Sequence, residues 1–249
     1  ARTANSVRYV GTVDTVQNYA SVNLTLNALM NASANSLTLQ RSGGAGTAAL
    51  VIGNSNELIL SAAAGPITIA MPITGASGAL TKTGANTVTL SGANTYTGAT
   101  RIADGTLRAG SSTAFNNTSA LVMTGTSTLD LNGFNAGFNG DVTTGVATTT
   151  ITDGAAGAGT STVTFNQSSN TTLSTAALIT DGATRKVAIA FANNNGAQRF
   201  TNVSNSFSGG LTLLHNASNG TRMEIATAPT FTGTPGALTS GNYGTGAIT

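Results

Sequence analysis

The side chains best suited to catalysis are few and widely spaced. The chain has one histidine, His215, and no cysteine. A Ser-His-Asp triad would have to use that histidine, yet the sequence contains no G-x-S-x-G turn to present a nucleophile. His215 stands in the run LTLLHNAS, which is typical of a strand or loop. The sequence therefore predicts no catalytic residue of this kind.

Carboxylates are the other candidates for chemistry, because glycosidases need two of them about 5 to 10 Å apart. The acidic residues are Asp14, Glu57, Asp104, Asp130, Asp141, Asp153, Asp181 and Glu224. No two are adjacent or separated by one residue. Stacked coils of a β-helix could bring distant acids together, so a polysaccharide lyase or hydrolase is kept as the enzyme hypothesis. Such enzymes usually cluster acids and bases in one groove, and this spread favours a non-enzymatic chain.

Motifs for metals, cofactors and nucleic acids are missing as well. The glycine clusters GGAG at 43–46 and DGAAGAG at 153–159 lack the aspartate spacing of calcium repeats and the full phosphate-loop patterns. We interpret them as turns, and we expect no cofactor. Ten Lys and Arg against eight acids give a net charge of +2, without the basic patch that nucleic acids require. No apolar run is long enough to predict a transmembrane helix.

The elements that would position any site are short strands. Only 7% of residues are charged, against about 25% in average soluble domains. Apolar residues nevertheless make up 40% and alternate with Thr, Ser and Asn in runs such as NLTL, SLTL, ELIL and TVTL, each ended by Gly, Asn or Asp-Gly. This pattern predicts an all-β, folded chain. Its low charge favours association with other molecules.

The spacing of these runs favours a parallel β-helix (β-solenoid) with about 20 residues per coil. Leu37 and Leu58, Ile67 and Val88, and Val88 and Leu107 are each roughly one such coil apart. At that spacing the chain would form about 12 coils. An antiparallel β-sandwich is the alternative, since LDLNGFNAGF at 129–138 fits a local hairpin.

Residues 79–110, ALTKTGANTVTLSGANTYTGATRIADGTLRAG, resemble the passenger-associated transport repeat, also called the autotransporter-associated β-strand repeat. That family's pattern is Leu-x-Lys-x-Gly, Thr-Leu-x-Leu-Ser-Gly, Asn-Thr-Tyr-x-Gly-x-Thr and Gly-Thr-Leu. Ala99 stands where a second Gly is usual. The motif residues that we expect to have structural roles are Lys82, Gly84, Leu90, Gly92, Asn94, Tyr96, Gly98, Gly105 and Leu107.

The resemblance extends more weakly beyond this repeat. Residues 127–140 look like the segment that commonly follows it, and a second, weaker copy is predicted from about 205. There Asn205, Phe207, Gly209 and Gly210 match residues 94, 96, 98 and 99. We expect residues 1–249 to form a single continuous solenoid cut from a longer chain.

The resemblance implies a right-handed parallel β-helix in an extracellular passenger on the surface of a Gram-negative-type bacterium. We therefore expect a structural protein, a subunit of a surface fibre, stalk or matrix that self-associates end to end or laterally. The alternative is an adhesin segment that binds glycans or host surfaces, for which exposed tyrosines could stack on sugars. The candidate tyrosines are Tyr9, Tyr19, Tyr96 and Tyr243.

Overall fold

A computed structural model describes residues 1–43, 46–115, 119–139, 142–144, 148–166, 173–193, 197–200, 202, 204–215 and 222–225. In these ranges all regular structure is β-strand. The strands run parallel and stack as a β-solenoid of about 8 turns, with successive turns ~22 residues apart. By internal contacts the chain divides into two compact units, residues 1–119 and 120–249.

Twelve strands lie in the first unit. They are β1 Arg2–Tyr9, β2 Thr15–Tyr19, β3 Leu24–Asn31, β4 Leu37–Arg41, β5 Leu50–Ile52, β6 Glu57–Ala62, β7 Ile67–Ile69, β8 Ile73–Thr74, β9 Ala79–Thr83, β10 Thr87–Leu90, β11 Thr100–Ile102 and β12 Gly105–Ala109.

Twelve more strands lie in the second unit. They are β13 Leu121–Met123, β14 Ser127–Asp130, β15 Ala136–Asn139, β16 Val142–Thr144, β17 Thr150–Thr152, β18 Gly159–Asn166, β19 Leu173–Thr175, β20 Leu178–Ile179, β21 Arg185–Asn193, β22 Ala197–Phe200, β23 Leu211–His215 and β24 Arg222–Ile225.

Each unit is built from stacked parallel ladders. In the first unit one sheet has the order β2-β4-β7-β10-β12, and the other contains β11-β9-β6-β3-β5-β8 with β1 also on β3. The second unit contains the ladders β13-β16, β14-β17-β20, β15-β18-β21-β23 and β19-β22-β24. Parallel pairing in every ladder confirms the predicted solenoid and excludes the antiparallel sandwich. The right-handedness implied by the resemblance stays a prediction, as does one continuous solenoid over residues 1–249.

The alternating pattern builds the core because every second side chain of a strand points inward. Leu37, Ile67, Val88 and Leu107 stack on one another in register and are all almost completely buried. In the second unit, Phe138, Phe165 and Phe191 stack in the same way, and the latter two rings lie 5.8 Å apart. Each coil thus buries its apolar face against the next.

The predicted hairpin at 129–138 is wrong. Strand β14 pairs with β17, and β15 pairs with β18, so the two segments lie in different ladders. Asn132 and Gly133 have positive φ, but they turn the chain around a corner of the coil rather than back along it.

Coil length also departs from the sequence-based expectation. Ile67 pairs with Val88 and Val88 with Leu107, as predicted, but Leu37 pairs with Ile67 and not with Leu58. The coil that starts at Leu37 is longer than the next one mainly because residues 42–49 connect β4 to β5, whereas only residues 70–72 connect β7 to β8. Longer coils mean fewer of them, so the chain forms about 8 coils, fewer than predicted.

Candidate functional site

The repeat segment places a lysine inside the core. Lys82 on β9 is in register with Leu60 and Ile102, both fully buried, and it is itself 0% exposed. Its aliphatic stem extends the apolar stack, and its ammonium group reaches the corner after the strand. There Nζ donates hydrogen bonds to the backbone oxygens of Thr83 (3.1 Å), Gly84 and Asp104 (2.7 Å). The lysine thereby joins two successive coils.

The environment of this ammonium group changes its acidity. Burial lowers the pKa of Lys82 to about 8, and the nearby Asp104 carboxylate opposes part of that decrease. Asp104 uses its own Oδ1 to accept a hydrogen bond from the N–H of Gly105 at 2.9 Å. The cation is therefore held by carbonyl oxygens of the corner.

Asn94 connects three coils. Its Oδ1 accepts a hydrogen bond from the N–H of Ile73 (2.8 Å), one coil earlier, and its Nδ2 donates to the carbonyl of Ala114 (2.6 Å), one coil later. The residue is 8% exposed, so both partners would be left without a hydrogen bond in a buried place if its side chain were removed. This asparagine satisfies backbone groups at corners where the strand ladders are interrupted.

Tyr96 lies in the core. It is 0% exposed, and its hydroxyl shares a 2.8 Å hydrogen bond with Oγ1 of Thr100. Burial raises the pKa of Tyr96 to about 12, against the opposing effect of the Thr100 hydrogen bond. The phenol is inaccessible to a sugar, so this tyrosine is not a stacking platform.

The glycines of the repeat stand where coils approach most closely. A Cβ added at Gly98 would lie 2.6 Å from the carbonyl carbon and oxygen of Gly78, and one at Gly84 would lie 2.6 Å from the carbonyl oxygen of Ala62. Gly105 has a φ of 65° and stands directly against the carbonyl of Gly84. Gly92 is equally close to Met71. The motif leucines, Leu90 and Leu107, are fully buried.

The segment predicted as a second copy makes contacts equivalent to those of the first. Asn205 is 7% exposed and accepts a hydrogen bond from the N–H of Ile179 at 2.9 Å, and Phe207 is fully buried like Tyr96. The N–H of Gly209 donates to the carbonyl of Val187 (2.9 Å), as that of Gly98 does to Gly78 (2.9 Å). An added Cβ at Gly209 would lie 2.5 Å from the same Val187 oxygen.

The candidate catalytic acids act as hydrogen-bond acceptors. Asp153 is fully buried, receives the N–H of Gly133 at 2.8 Å, and forms an ion pair of 2.8 Å with Nε of Arg185. Burial raises the pKa of its carboxyl, but hydrogen bonds from Ser161, Arg185 and the backbone outweigh burial and leave the pKa below its ordinary value. This ion pair was not predicted, because its partners lie far apart in the sequence.

Neighbouring acids are engaged in the same manner. Asp130 Oδ1 accepts the backbone N–H of Asn132 (2.9 Å) and of Gly154 (2.8 Å). Asp181 Oδ1 accepts the backbone N–H of Val187 (2.8 Å) and of Ser208 (3.0 Å). Asp153 and Asp181 each precede a glycine, the signal that marked them as corner residues. Within the described residues, no three His, Cys, Asp or Glu side chains converge to hold a metal ion.

Asp14 and Glu57 also accept hydrogen bonds, whereas Asp141 lies outside the described residues. Asp14 accepts the N–H of Ser36 (2.6 Å), and Glu57 accepts the hydroxyl of Thr81 (2.5 Å). His215 is the last residue of β23, in register with Asn193. Asp141 and Tyr243 lie outside the described residues, and Glu224 is a residue of β24.

An apolar cavity and a group of exposed valines lie beside strands β1 and β2. Among the described residues, β1 pairs only with β3, and β2 pairs only with β4. A cavity of about 180 Å³ opens beside these strands, walled by buried leucines of the next coil and bordered by Val7, Tyr9 and Tyr19. The exposed large apolar side chains cluster here: Val7, Val10, Val13, Val16 and Val22.

The comparisons agree with this architecture. Residues 80–109 match the passenger-associated-transport-repeat family. Over 207 residues the chain is 32% identical to a protein of Brucella suis biovar 1 (strain 1330) named adhesin BmaC autotransporter. The alignment covers 78% of this chain but 6% of that protein, so the chain spans a small part of its relative. No solved structure matches it.

The chain therefore carries a passenger-associated-transport-repeat, as its motif predicted, and over most of its length it is similar to a small part of an autotransporter adhesin. In the described part of the chain, no helix has the length and apolar character needed to cross a bilayer.

Proposed function

We propose that this chain is a non-enzymatic structural segment of an extracellular passenger, a β-solenoid that forms part of a stalk, fibre or matrix on a Gram-negative-type cell. The observation that carries the proposal is how the repeat uses its polar side chains. Lys82 and Asn94, two buried polar residues of the motif, bind backbone atoms of neighbouring coils. These two motif residues thus have a shared role, which is to join coil to coil.

The hydrogen bonds and the burial of the carboxylates support a non-enzymatic role. Asp130, Asp153 and Asp181 each accept hydrogen bonds from the backbone, and Asp153 is also paired with Arg185. A general acid needs access to its substrate and a pKa near the working pH. Asp153 is fully buried and its pKa is lowered, so it meets neither requirement.

We further propose that the chain associates with a second copy of itself, a proposal supported by the exposed valines on and beside strands β1 and β2. Amide side chains are already stacked from coil to coil there, Asn27 on Asn5 at 2.6 Å and Gln40 on Asn18 at 2.8 Å. A net charge of +2 gives little repulsion between copies.

The test is sedimentation of the native protein over a hundredfold range of concentration, with electron microscopy of the same samples. We expect the mass to rise with concentration and the particles to join end to end. Val7→Lys, at the mouth of the apolar cavity, should abolish the association. Val22→Lys is the matched control, since Val22 is similarly exposed (40% against 37%) but does not line the cavity. A monomer at every concentration would refute self-association but would leave the role within a longer passenger intact.

A second candidate function is adhesion to surface glycans. It is favoured by the relative in Brucella suis, whose name describes an adhesin. Beads coated with the purified chain should then adhere to host epithelial cells, and treatment of the cells with glycosidases should reduce adhesion. Adhesion unchanged by removing glycans would contradict it.

A further inference from the structure

We propose that a groove along one corner of the first unit binds an acidic oligosaccharide through Arg41, an inference that rests on the second proposed function, adhesion. The groove has a volume of about 500 Å³. It is polar and is lined by the last two residues of β4 and by residues that follow β4, β7 and β10.

The groove runs from coil to coil along the stack. Leu39 on β4 pairs with Ile69 on β7, which pairs with Leu90 on β10, so the three corners after these strands lie one above another. Successive strands lie about 4.8 Å apart. That step is close to the length of one sugar ring in an extended chain, so three coils suit about three sugar units.

Small residues keep the groove open. Ala70, Gly92 and Ala93 line it, together with Gly43. Gly92 stands directly against the carbonyl of Met71, so a larger residue there would collide with the backbone. The corner thus has room for a ligand.

Arg41 supplies the charge. Its Nε donates a hydrogen bond to the carbonyl of Ala48 at 2.8 Å, which fixes the side chain beside the groove. Within the described residues its two terminal nitrogens make no hydrogen bond or ion pair. A guanidinium group with both terminal nitrogens available can bind a carboxylate in bidentate geometry.

Two neutral groups complete the site. Gln40 donates through Nε2 to Asn18 (2.8 Å), and its Oε1 accepts no hydrogen bond from the described residues. The hydroxyl of Ser91 likewise has no partner there. Both line the groove and can bind sugar hydroxyls, and none of the residues lining the groove is acidic. One uncompensated cation beside an amide and a hydroxyl suits a sugar that carries a carboxylate.

The experiment is calorimetric titration of the full chain with trigalacturonic acid and with maltotriose, a neutral trisaccharide, at physiological ionic strength. We expect trigalacturonic acid to bind at least about tenfold more tightly than maltotriose. Arg41→Gln should weaken binding of the acid about tenfold or more. Arg41→Lys should weaken it less, because lysine keeps the positive charge but cannot bind a carboxylate in bidentate geometry. Arg101→Gln, which removes an exposed arginine of β11, should leave the affinity unchanged.

Ala93→Trp is a second variant that fills the groove from an exposed position and leaves Arg41 in place. It should also abolish binding while the circular dichroism spectrum stays that of the unaltered chain. Equal binding of the two trisaccharides, no binding of either, or equal losses in Arg41→Gln and Arg101→Gln would each overturn the proposal. If coated beads still adhere to cells in a glycan-dependent way, adhesion itself stands; if they do not, adhesion fails as well.

Discussion

Asn94 in the first unit and Asn205 in the second make the same hydrogen bond. Each accepts, through Oδ1, the backbone N–H of an isoleucine on the preceding coil, Ile73 at 2.8 Å and Ile179 at 2.9 Å. The next residue repeats the pattern, because the N–H groups of Thr95 and Ser206 donate to the carbonyls of the same isoleucines. We therefore propose that the segment from about 205 is a second copy of the repeat's corner.

Removing either asparagine should destabilise its own unit. Asn94→Ala leaves two buried backbone groups without partners and should lower the free energy of unfolding by about 2–4 kcal/mol. Asn205→Ala should cost about 1–3 kcal/mol for the same reason. Urea denaturation measures both, with the exposed Asn54→Ala as the control. A neutral Asn205→Ala beside a costly Asn94→Ala would show that the second corner is not equivalent.

The buried lysine should contribute through both its stem and its charge. Lys82→Ala removes a core side chain and three hydrogen bonds, and we expect a loss of about 3–5 kcal/mol. Lys82→Met keeps most of the volume and should cost about 1–3 kcal/mol. Denaturant midpoints compare these variants with Lys186→Met, an exposed lysine that should change stability little. If Lys82→Met were as stable as the unaltered chain, the hydrogen bonds from Lys82 to the three backbone oxygens would make no net contribution to stability.

The same lysine predicts a rise of stability with pH. Its pKa is lowered to about 8 in the folded chain and has its ordinary value of 10.5 when unfolded. Between these values the unfolded state binds more protons, so stability increases with pH there. The difference in stability between the unaltered chain and Lys82→Met should be constant below pH 7 and grow between pH 8 and 10.5. A flat difference across that range would contradict the assigned pKa.

Close packing at the corners makes the glycines sensitive to a single methyl group. Gly98→Ala forces a Cβ against the carbonyl of Gly78 and should cost about 1–3 kcal/mol. Gly209→Ala meets the carbonyl of Val187 and should have a similar effect. Thr95→Ala, an exposed neighbour, is the control. Thermal denaturation followed by circular dichroism gives the comparison, and tolerance of both alanines would mean that the coils can separate at little cost.

The ion pair of the second unit predicts sensitivity to acid. Asp153→Asn leaves Arg185 without its partner and should lower stability by about 2–4 kcal/mol near pH 7. Because the folded pKa of Asp153 lies below its ordinary 3.8, its stabilisation is fully present above about pH 4. It is lost as the pH falls through the folded value. The variant should therefore approach the unaltered chain in stability as the pH falls progressively below 3.8, whereas Asp14→Asn should show a much smaller change at pH 7.

Sequence reasoning succeeded where the repeat is regular. Ile67, Val88 and Leu107 are spaced by single short coils, so their alternation and spacing predicted their register. It failed at Leu37 and Leu58, because a longer connection between β4 and β5 lengthens that coil and spacing alone does not show which strands share a sheet. The hairpin prediction at 129–138 was wrong because an Asn-Gly corner of a coil and a hairpin turn use the same residues.

The chemistry of the corners was less predictable. The motif identified Lys82 and Asn94, but their partners are carbonyl and amide groups of the backbone, which every residue carries. Only the stacking of coils decides which of these groups come within reach. The ion pair between Arg185 and Asp153 could not be predicted for the same reason, because the sequence alone does not show which charged residues the fold brings together.

The enclosure of Lys82 also makes the protein convenient to handle. Lys82 and Lys186 are the two lysines of the chain, and the first has no surface through which an amine-reactive dye could approach. Lys186 is exposed on β21. An amine-reactive dye applied to folded protein whose α-amino group has been blocked would mark a single position in the second unit. The native fold thus supplies its own attachment point for fluorescence or for tethering to a force probe.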